Sequence, residues 1–398
     1  MITFFIYLVV ITLFYHNQYA QQILLVRYIA EVATNLNFGS HKFIKLTRIL
    51  SLVQKSHKID LRAACGLQAS LWPPLAYSII INMSYIIKKI SKETLYQNYD
   101  YVVMDRSKLC GCKGVRTCFT CEKEFNLTPT VNSEDLKKLS SASYCSYCNL
   151  LWSGWNAYEY KNHPNHTGTS YYLDGIFIEH EFISEEEETM LMKNLDVMPW
   201  DVSQSGRRKQ NFGPKCNFKK RRLSMGNFNG FPLSTKFVQD RFDTIPIMKD
   251  YFTIEQCSLE YRPEIGASID PHVDDCWIWG ERIVTLSLQS DTVLTLTPHK
   301  IKYSNQYNID YIPNGKYLPI PVNSVNYPID VVRILMPRRS LLVLYGKPRY
   351  LWEHCILRED IHERRVCIAY REFTLPYLNG GEKYTESCDI LEKAKCFW

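Results

Sequence analysis

No apolar run in this 398-residue chain reaches the ~20 residues that a membrane-spanning helix requires. The opening run, Ile2 to Tyr15, stops several residues short, and a second apolar stretch near Leu75 to Ile87 is bordered by Pro73 and Pro74. The opening run also lacks the basic n-region of a secretion signal, and Gln18 stands where a small residue is expected before cleavage at Ala20. Acidic residues are missing altogether from Val202 to Gln239, where Arg207, Arg208, Lys209, Lys215, Lys219, Lys220, Arg221, Arg222 and Lys236 are basic. Such a block matches a binding surface for nucleic acid or an acidic protein better than an ordinary solvated face, although the net charge of the whole chain is only +6.

What is present is ample material for a core, with 46% hydrophobic and 13% aromatic residues, so a globular protein of one extended or two domains is expected. Residues 1–103 differ in character from the rest. They are read either as an extension upstream of a natural start at Met104 or as a genuine anchor; a membrane or secretory location follows only if the extension is real. For 104–398 the expectation is a cytoplasmic and nuclear monomer without stable membrane association. Thirteen of the fourteen cysteines follow Lys108. Cys110 and Cys112 form a CxC pair, Cys118 and Cys121 a CxxC pair, and Cys145 and Cys148 a second CxxC. Close pairs of this kind in an intracellular protein bind metal more often than they form disulfides, so Cys110, Cys112, Cys118 and Cys121 are candidate ligands of a structural zinc. A secreted disulfide module is the alternative, with Asn126 and Asn165 as glycosylation acceptors.

Along the chain, Trp152 to Tyr172 reads as loop, Ile176 to Ile178 as strand, and Ser184 to Glu187 as a capping box opening a helix to about Leu195. Gly226 to Pro232 reads as a loop lying over something. Stretches 253–262, 282–298, 330–345 and 364–373 read as packed antiparallel strands, with Arg349 to His354 as a further strand. Short strands with helices on the N-terminal side predict an α+β fold built on a double-stranded β-helix, or jelly-roll, barrel behind a Cys-rich N-terminal segment. The expected division is 104–150 for the Cys-rich segment, 151–250 for an αβ part with a basic lid, 251–375 for the barrel and 376–398 for a tail. The connection 299–329 is long enough to be functional or disordered.

The chemistry concentrates in the last third. His272 and Asp274 are two apart, so on an extended strand they point to the same side, and His354 supplies the third member of the two-histidine, one-carboxylate set that non-haem Fe(II) oxygenases use. Each residue alone has a bland reading, as a core histidine or a turn aspartate. His163, His166, His180, His299 and His362 are taken as surface or loop residues. In Arg364 to Arg371, alternation puts Arg365, Cys367, Ala369 and Arg371 on one face; two arginines bracketing two small residues suit a short dicarboxylate. The competing reading is an exposed basic edge.

With His272/Asp274, His354 and Arg365/Arg371 in the pattern HxD, distant His and R-x5-R, the sequence resembles the AlkB family of Fe(II)/2-oxoglutarate dioxygenases. Over 104–375 it resembles more narrowly the subfamily of the fourth animal AlkB homologue, through Cys110 to Gly114, Arg116 to Cys118, Ser203 to Gln210, Gly213 to Lys215, Ile269 to Asp275, and Trp277 with Trp279 to Arg282. The resemblance implies Fe(II), 2-oxoglutarate and O₂, with Arg365 on the distal carboxylate assisted by the Tyr261 hydroxyl, and Arg371 near the iron-chelating end. Leu259 stands where the family usually has Asn. The segment from Ser203, with Arg207, Arg208, Lys209 and Lys215, takes the place of the family's substrate lid.

The resemblance further implies oxidative N-demethylation, with actin binding and chromatin regulation as its settings. Monomethyl-lysine in protein, such as actin, is favoured over 6-methyladenine in DNA, because no basic-aromatic groove for single-stranded nucleic acid is evident. Trp277 and Trp279 are candidates to flank a methylammonium or a base. A reading of another class is a zinc-stabilised interaction scaffold whose barrel is inactive.

Overall fold

The alternation along Arg365–Phe373 sets the architecture. In the computed structural model Val366, Ile368 and Tyr370 pack outward against Leu191, Met192 and Leu195 of a helix, while Cys367 belongs to the interior core on the opposite face. The structure describes residues 109–129, 131, 133–299 and 328–398; the expectations for 1–103 and nearly all of 299–329 lie outside them. All described residues belong to the unit Asp105–Trp398.

Two seven-stranded sheets face each other. The first runs β10 (Ile269–His272), β15 (Trp352–Ile356), β12 (Thr292–Pro298), β13 (Val331–Met336), β1 (Ser141–Cys145), β2 (Leu150–Ser153) and β3 (Ser170–Tyr171). The second runs β4 (Ile176–Glu179), β14 (Leu341–Leu344), β11 (Trp279–Leu288), β16 (Arg365–Phe373), β9 (Glu255–Tyr261), β6 (Arg208–Phe212) and β5 (Asp201–Val202). From β9 to β16 the chain passes repeatedly from one sheet to the other, and neighbours pair antiparallel; only β1 and β13 run parallel among the described strands. This is the expected double-stranded β-helix.

Between the sheets, Leu294, Leu296, Ile334 and Trp352 meet Ile283, Leu342 and Leu344. Alternate residues of β11 and β14 turn the other way, so Val284, Leu286, Leu341 and Val343 form a second core under the helices. The α-helices among the described residues are α1 (Phe119–Phe125), α2 (Ser133–Lys137), α3 (Glu185–Val197), α4 (Lys236–Asp240), α5 (Gly346–Tyr350) and α6 (Tyr384–Lys393). The α3 capping box forms as expected: Ser184 Oγ accepts from the Glu187 N–H at 3.2 Å and the Glu187 carboxylate accepts from the Ser184 N–H at 2.8 Å. No helix of the described residues is long and apolar enough to cross a membrane.

Two local expectations are corrected and a third gains its partner. Arg349 to Leu351 do not continue a strand: Gly346–Tyr350 is the short helix α5, and β15 starts only at Trp352. Helices are not confined to the N-terminal side, because the C-terminal tail folds into α6, burying Ser387 and Ile390. The loop from Gly226 to Pro232 lies under the last residues of the chain. Phe231 N–H donates to the Cys396 carbonyl at 2.9 Å, Trp398 N–H donates to the Phe231 carbonyl at 3.0 Å, and Phe231 packs on Phe228 and Phe397.

Gly230 has φ +95°, and a Cβ there would collide with the Cys396 carbonyl oxygen. Gly230→Ala is therefore expected to release the 384–398 segment, seen as new cleavage in limited proteolysis. Phe231→Ala, at a site with no exposed surface, is expected to lower stability by about 3–5 kcal/mol in denaturant unfolding.

Candidate metal and dicarboxylate site

His272 ends β10 and sits directly opposite His354 of β15, so both imidazoles rise from the same face with ring centroids 4.3 Å apart. A backbone carbonyl can only accept, so the 2.8 Å contact between His272 Nδ1 and the Asp270 oxygen places the proton on Nδ1 and leaves the Nε2 lone pair free. That Nε2 is 3.9 Å from Asp274 Oδ1. Burial, then the neighbouring His272, lowers the His354 pKa to about 3, and burial lowers that of His272. Both rings are thus neutral, the form that can ligate a metal.

Asp274 does not lie on the strand with His272, as the two-residue spacing suggested. Strand β10 ends at His272, and Asp274 follows in the connection to β11. Two arginines hold it there. Arg371 of β16 donates from Nε and Nη2 to the two carboxylate oxygens at 3.1 and 3.2 Å, and from Nη1 to Glu255 at 2.6 Å. Burial pushes the Asp274 carboxyl up, but the Arg371 guanidinium foremost outweighs it and keeps it well below the usual carboxylate range. Arg349 of α5, only 1% exposed, donates to the main-chain carbonyls of Asp274, Trp279 and Gly280 at 2.8, 3.1 and 3.2 Å. Sequence alone does not single out Arg349, which follows Lys347 and Pro348 and precedes Tyr350, Leu351 and Trp352. The ligand atoms of His272, Asp274 and His354 all lie within 4.8 Å of one another.

At the other end of β16, Arg365 pairs across from Tyr261 of β9, with its guanidinium carbon 4.8 Å from the ring centroid. Arg365 is 1% exposed, yet its Nε and Nη1 have no hydrogen-bond partner among the described residues. A buried guanidinium without an anion is costly, so these donors call for an anionic ligand. Leu259 lies opposite Cys367, and the next strand brings Lys209 beside Leu259 and Asn211 beside Cys257.

The four lid residues do not form one surface. Arg208 is committed to the buried Glu260, which also accepts from Arg364 at 2.9 Å. Arg207 leans over the Tyr261 ring at 5.9 Å and donates to the Gln204 carbonyl. Lys209 sits within β6, and Lys215 is exposed on the hairpin of β7 (Lys215–Asn217) and β8 (Arg222–Ser224). Trp277 and Trp279 cannot cage a methylammonium or stack on a base, because both are buried, against Tyr377 and Phe373.

Cys110, Cys112, Cys118 and Cys121 do come together, their sulfurs within 4.8 Å of one another at the start of α1. This knot abuts the segment leading to Arg207: a Cβ on Gly111 would strike the Ser203 backbone, and one on Gly206 would press on Cys118. Arg358 ties α1 to the barrel through Glu122 at 2.9 Å. The histidines set aside as surface or loop residues are not all so. His299 is buried beside Glu353; His180 bonds Ser146 at 2.7 Å, and His163 and His166, loop residues as expected, converge on Cys145 and Cys148. Those two pairs meet only through the fold of the 154–169 connection, which had no readable period.

No protein-family model matches the chain. It is 37% identical over 291 residues to the Mus musculus protein named alpha-ketoglutarate-dependent dioxygenase alkB homolog 4, covering 72% of this chain and 94% of that protein. The Homo sapiens protein of the same name is 36% identical with the same coverage. The DNA N6-methyl adenine demethylase of Caenorhabditis elegans is 29% identical over 289 residues, 69% of this chain and 90% of that protein. Likeness at this level over nearly the whole of the two mammalian proteins means that the chain belongs to the AlkB family of alpha-ketoglutarate (2-oxoglutarate)-dependent dioxygenases and is similar to its homolog 4 members.

Proposed function

We propose that this dioxygenase is an oxidative N-demethylase of monomethyl-lysine in protein, with actin as the expected kind of substrate. The observation that carries the site assignment is the buried Arg365 guanidinium, whose Nε and Nη1 have no hydrogen-bond partner among the described residues, in the same inner strand face as Arg371. Two neutral imidazoles and one ionised carboxylate are the donor set of an open facial site, and His272, Asp274 and His354 would hold Fe(II). The free Arg365 donors suit one carboxylate of 2-oxoglutarate, with Tyr261 beside them; Arg371, bound to Asp274, would meet the other end. When bound, the iron with 2-oxoglutarate and O₂ supplies the oxidising power that hydroxylates an N-methyl group, which then leaves as formaldehyde. Arg371 keeps Asp274 ionised, Arg349 holds its loop in place, and buried Trp277 and Trp279 close that side to water. Cys110, Cys112, Cys118 and Cys121 would hold a structural zinc that braces the segment before Arg207.

The exposed β7–β8 hairpin supports a protein substrate. Its lysines and arginines suit an acidic protein surface, and Phe218 is the one large apolar residue exposed on it, whereas single-stranded nucleic acid calls for a series of stacking platforms. A second reading, 6-methyladenine in DNA, is favoured by the name of the Caenorhabditis elegans relative.

The deciding assay measures succinate and formaldehyde with Fe(II), ascorbate, O₂ and 2-oxoglutarate, using a monomethyl-lysine actin peptide and then 6-methyladenine DNA, with His272→Ala as control. Formaldehyde from the peptide, lost in the control, is expected; formaldehyde from DNA alone overturns the lysine assignment, and partner binding without any turnover would favour the scaffold. Arg365→Met is expected to raise the 2-oxoglutarate concentration for half-maximal turnover about 100-fold, or ~3 kcal/mol for a charge-assisted contact. Arg349→Met, in contrast, is expected to weaken iron binding and turnover by roughly 10–100-fold with a smaller change in 2-oxoglutarate dependence, because it unmoors Asp274 and leaves Arg365 intact.

A further inference from the structure

The geometry points to a second metal site, a closed structural zinc held by Cys145, Cys148, His163 and His166, in a region with no part in the dioxygenase centre. The four ligand atoms lie within 4.8 Å of one another. Cys145 ends β1 and Cys148 lies in the tight turn into β2; the Asn149 N–H donates to the Cys145 carbonyl at 2.9 Å, with Asn149 at φ 58°. The two histidines come from the end of the 154–169 connection, just past the 3₁₀ helix Ala157–Asn162.

The surroundings of the ligands fit a metal. His166 Nδ1 is 3.0 Å from Glu159 Oε1, so the ring donates there and presents Nε2 to Cys148 Sγ, 3.7 Å away. A carboxylate behind a ligating imidazole is the usual outer contact of a zinc histidine. Glu159 is in turn held by the Asn162 side chain at 2.9 Å. Trp152 stacks on the His166 ring at 4.5 Å and directs its indole N–H at the Cys148 sulfur, 3.5 Å away. Around one tetrahedral zinc, bond lengths of about 2.3 Å to sulfur and 2.0–2.1 Å to nitrogen give ligand separations of roughly 3.3–3.8 Å, and the Cys148–His166 distance falls in that range. An S₂N₂ set around a single centre suits zinc, and binding it would release two thiol protons. The pattern Cys-x₂-Cys, fourteen residues, His-x₂-His has a tighter histidine pair than helical zinc modules, in keeping with histidines carried on a turn.

In the sheet order, β1 lies four strands from β10, about 19 Å at the usual strand spacing, so this metal is separate from the His272 centre. Its work is to pin the 154–169 connection, which packs through Ala157 on Val293 and Leu335 with two tyrosines at the edge, to the β1–β2 hairpin, itself anchored in the main core by Ala142, Tyr144 and Leu151.

The test is zinc content of the full chain, purified without chelators and measured by plasma mass spectrometry, for the native protein, Cys148→Ser/His166→Ala, and Cys112→Ser/Cys121→Ser. The first double variant is expected to lose one zinc per chain independently of the second. His163→Cys guards against misfolding as the cause: it is expected to keep its zinc, and after cobalt exchange its sulfur-to-cobalt absorption should rise by the contribution of one thiolate. Unchanged zinc in Cys148→Ser/His166→Ala, an unaltered cobalt spectrum in His163→Cys, or acid-labile sulfide at this site would each overturn the assignment.

Discussion

The contact between the Arg371 guanidinium and the Asp274 carboxylate joins the two sheets at the point where the chemistry must occur. Arg371 belongs to β16 of the second sheet, and Asp274 to the connection leaving β10 of the first. Burial favours the protonated carboxyl; the guanidinium beside it favours the ionised form and prevails. Glu255 takes the remaining donor of Arg371, so the arginine is itself fixed from the next strand. Removing one partner of such a buried pair typically costs about 3–5 kcal/mol, because the other is left uncompensated.

Around that contact the barrel supplies two kinds of precision. The antiparallel register of β10 and β15 delivers the imidazoles as a directly opposed pair, and β16 delivers both arginines on its inner face. Asp274 has no strand to hold it, and Arg349 substitutes three carbonyl contacts for a ladder. The outer parts are held by different means: α6 and the chain's last residues clamp the Gly226–Pro232 loop, and the sulfur knot seats the segment before Arg207.

Much of this was legible before any coordinates. Period-two alternation identified β16 and its inward arginines, since a pleated strand between a helix layer and an interior leaves no other arrangement for Val366, Ile368 and Tyr370. The Ser184–Glu187 cap announced α3 because its hydrogen bonds are local. The errors arose where a residue's neighbours are distant in sequence. Trp277 and Trp279 looked available for a ligand and are core; His163 and His166 are loop residues as expected, but the meeting of that loop with a cysteine pair was not legible. The ion pair of Arg208 with Glu260, 52 positions away, was likewise not legible.

Residue types, spacing and alternation were enough to establish the strand faces, the histidine–aspartate–histidine set and the arginine pair, because those patterns depend on backbone geometry within a few residues. Which charges are paired and which are left open was decided only by the packing of the two sheets. Arg371 and Arg365 are equivalent by alternation, yet one is neutralised by Asp274 and Glu255 while the other has two buried donors without a hydrogen-bond partner among the described residues. That difference comes from which loops and strands are brought against each end of β16, and no local pattern encodes it.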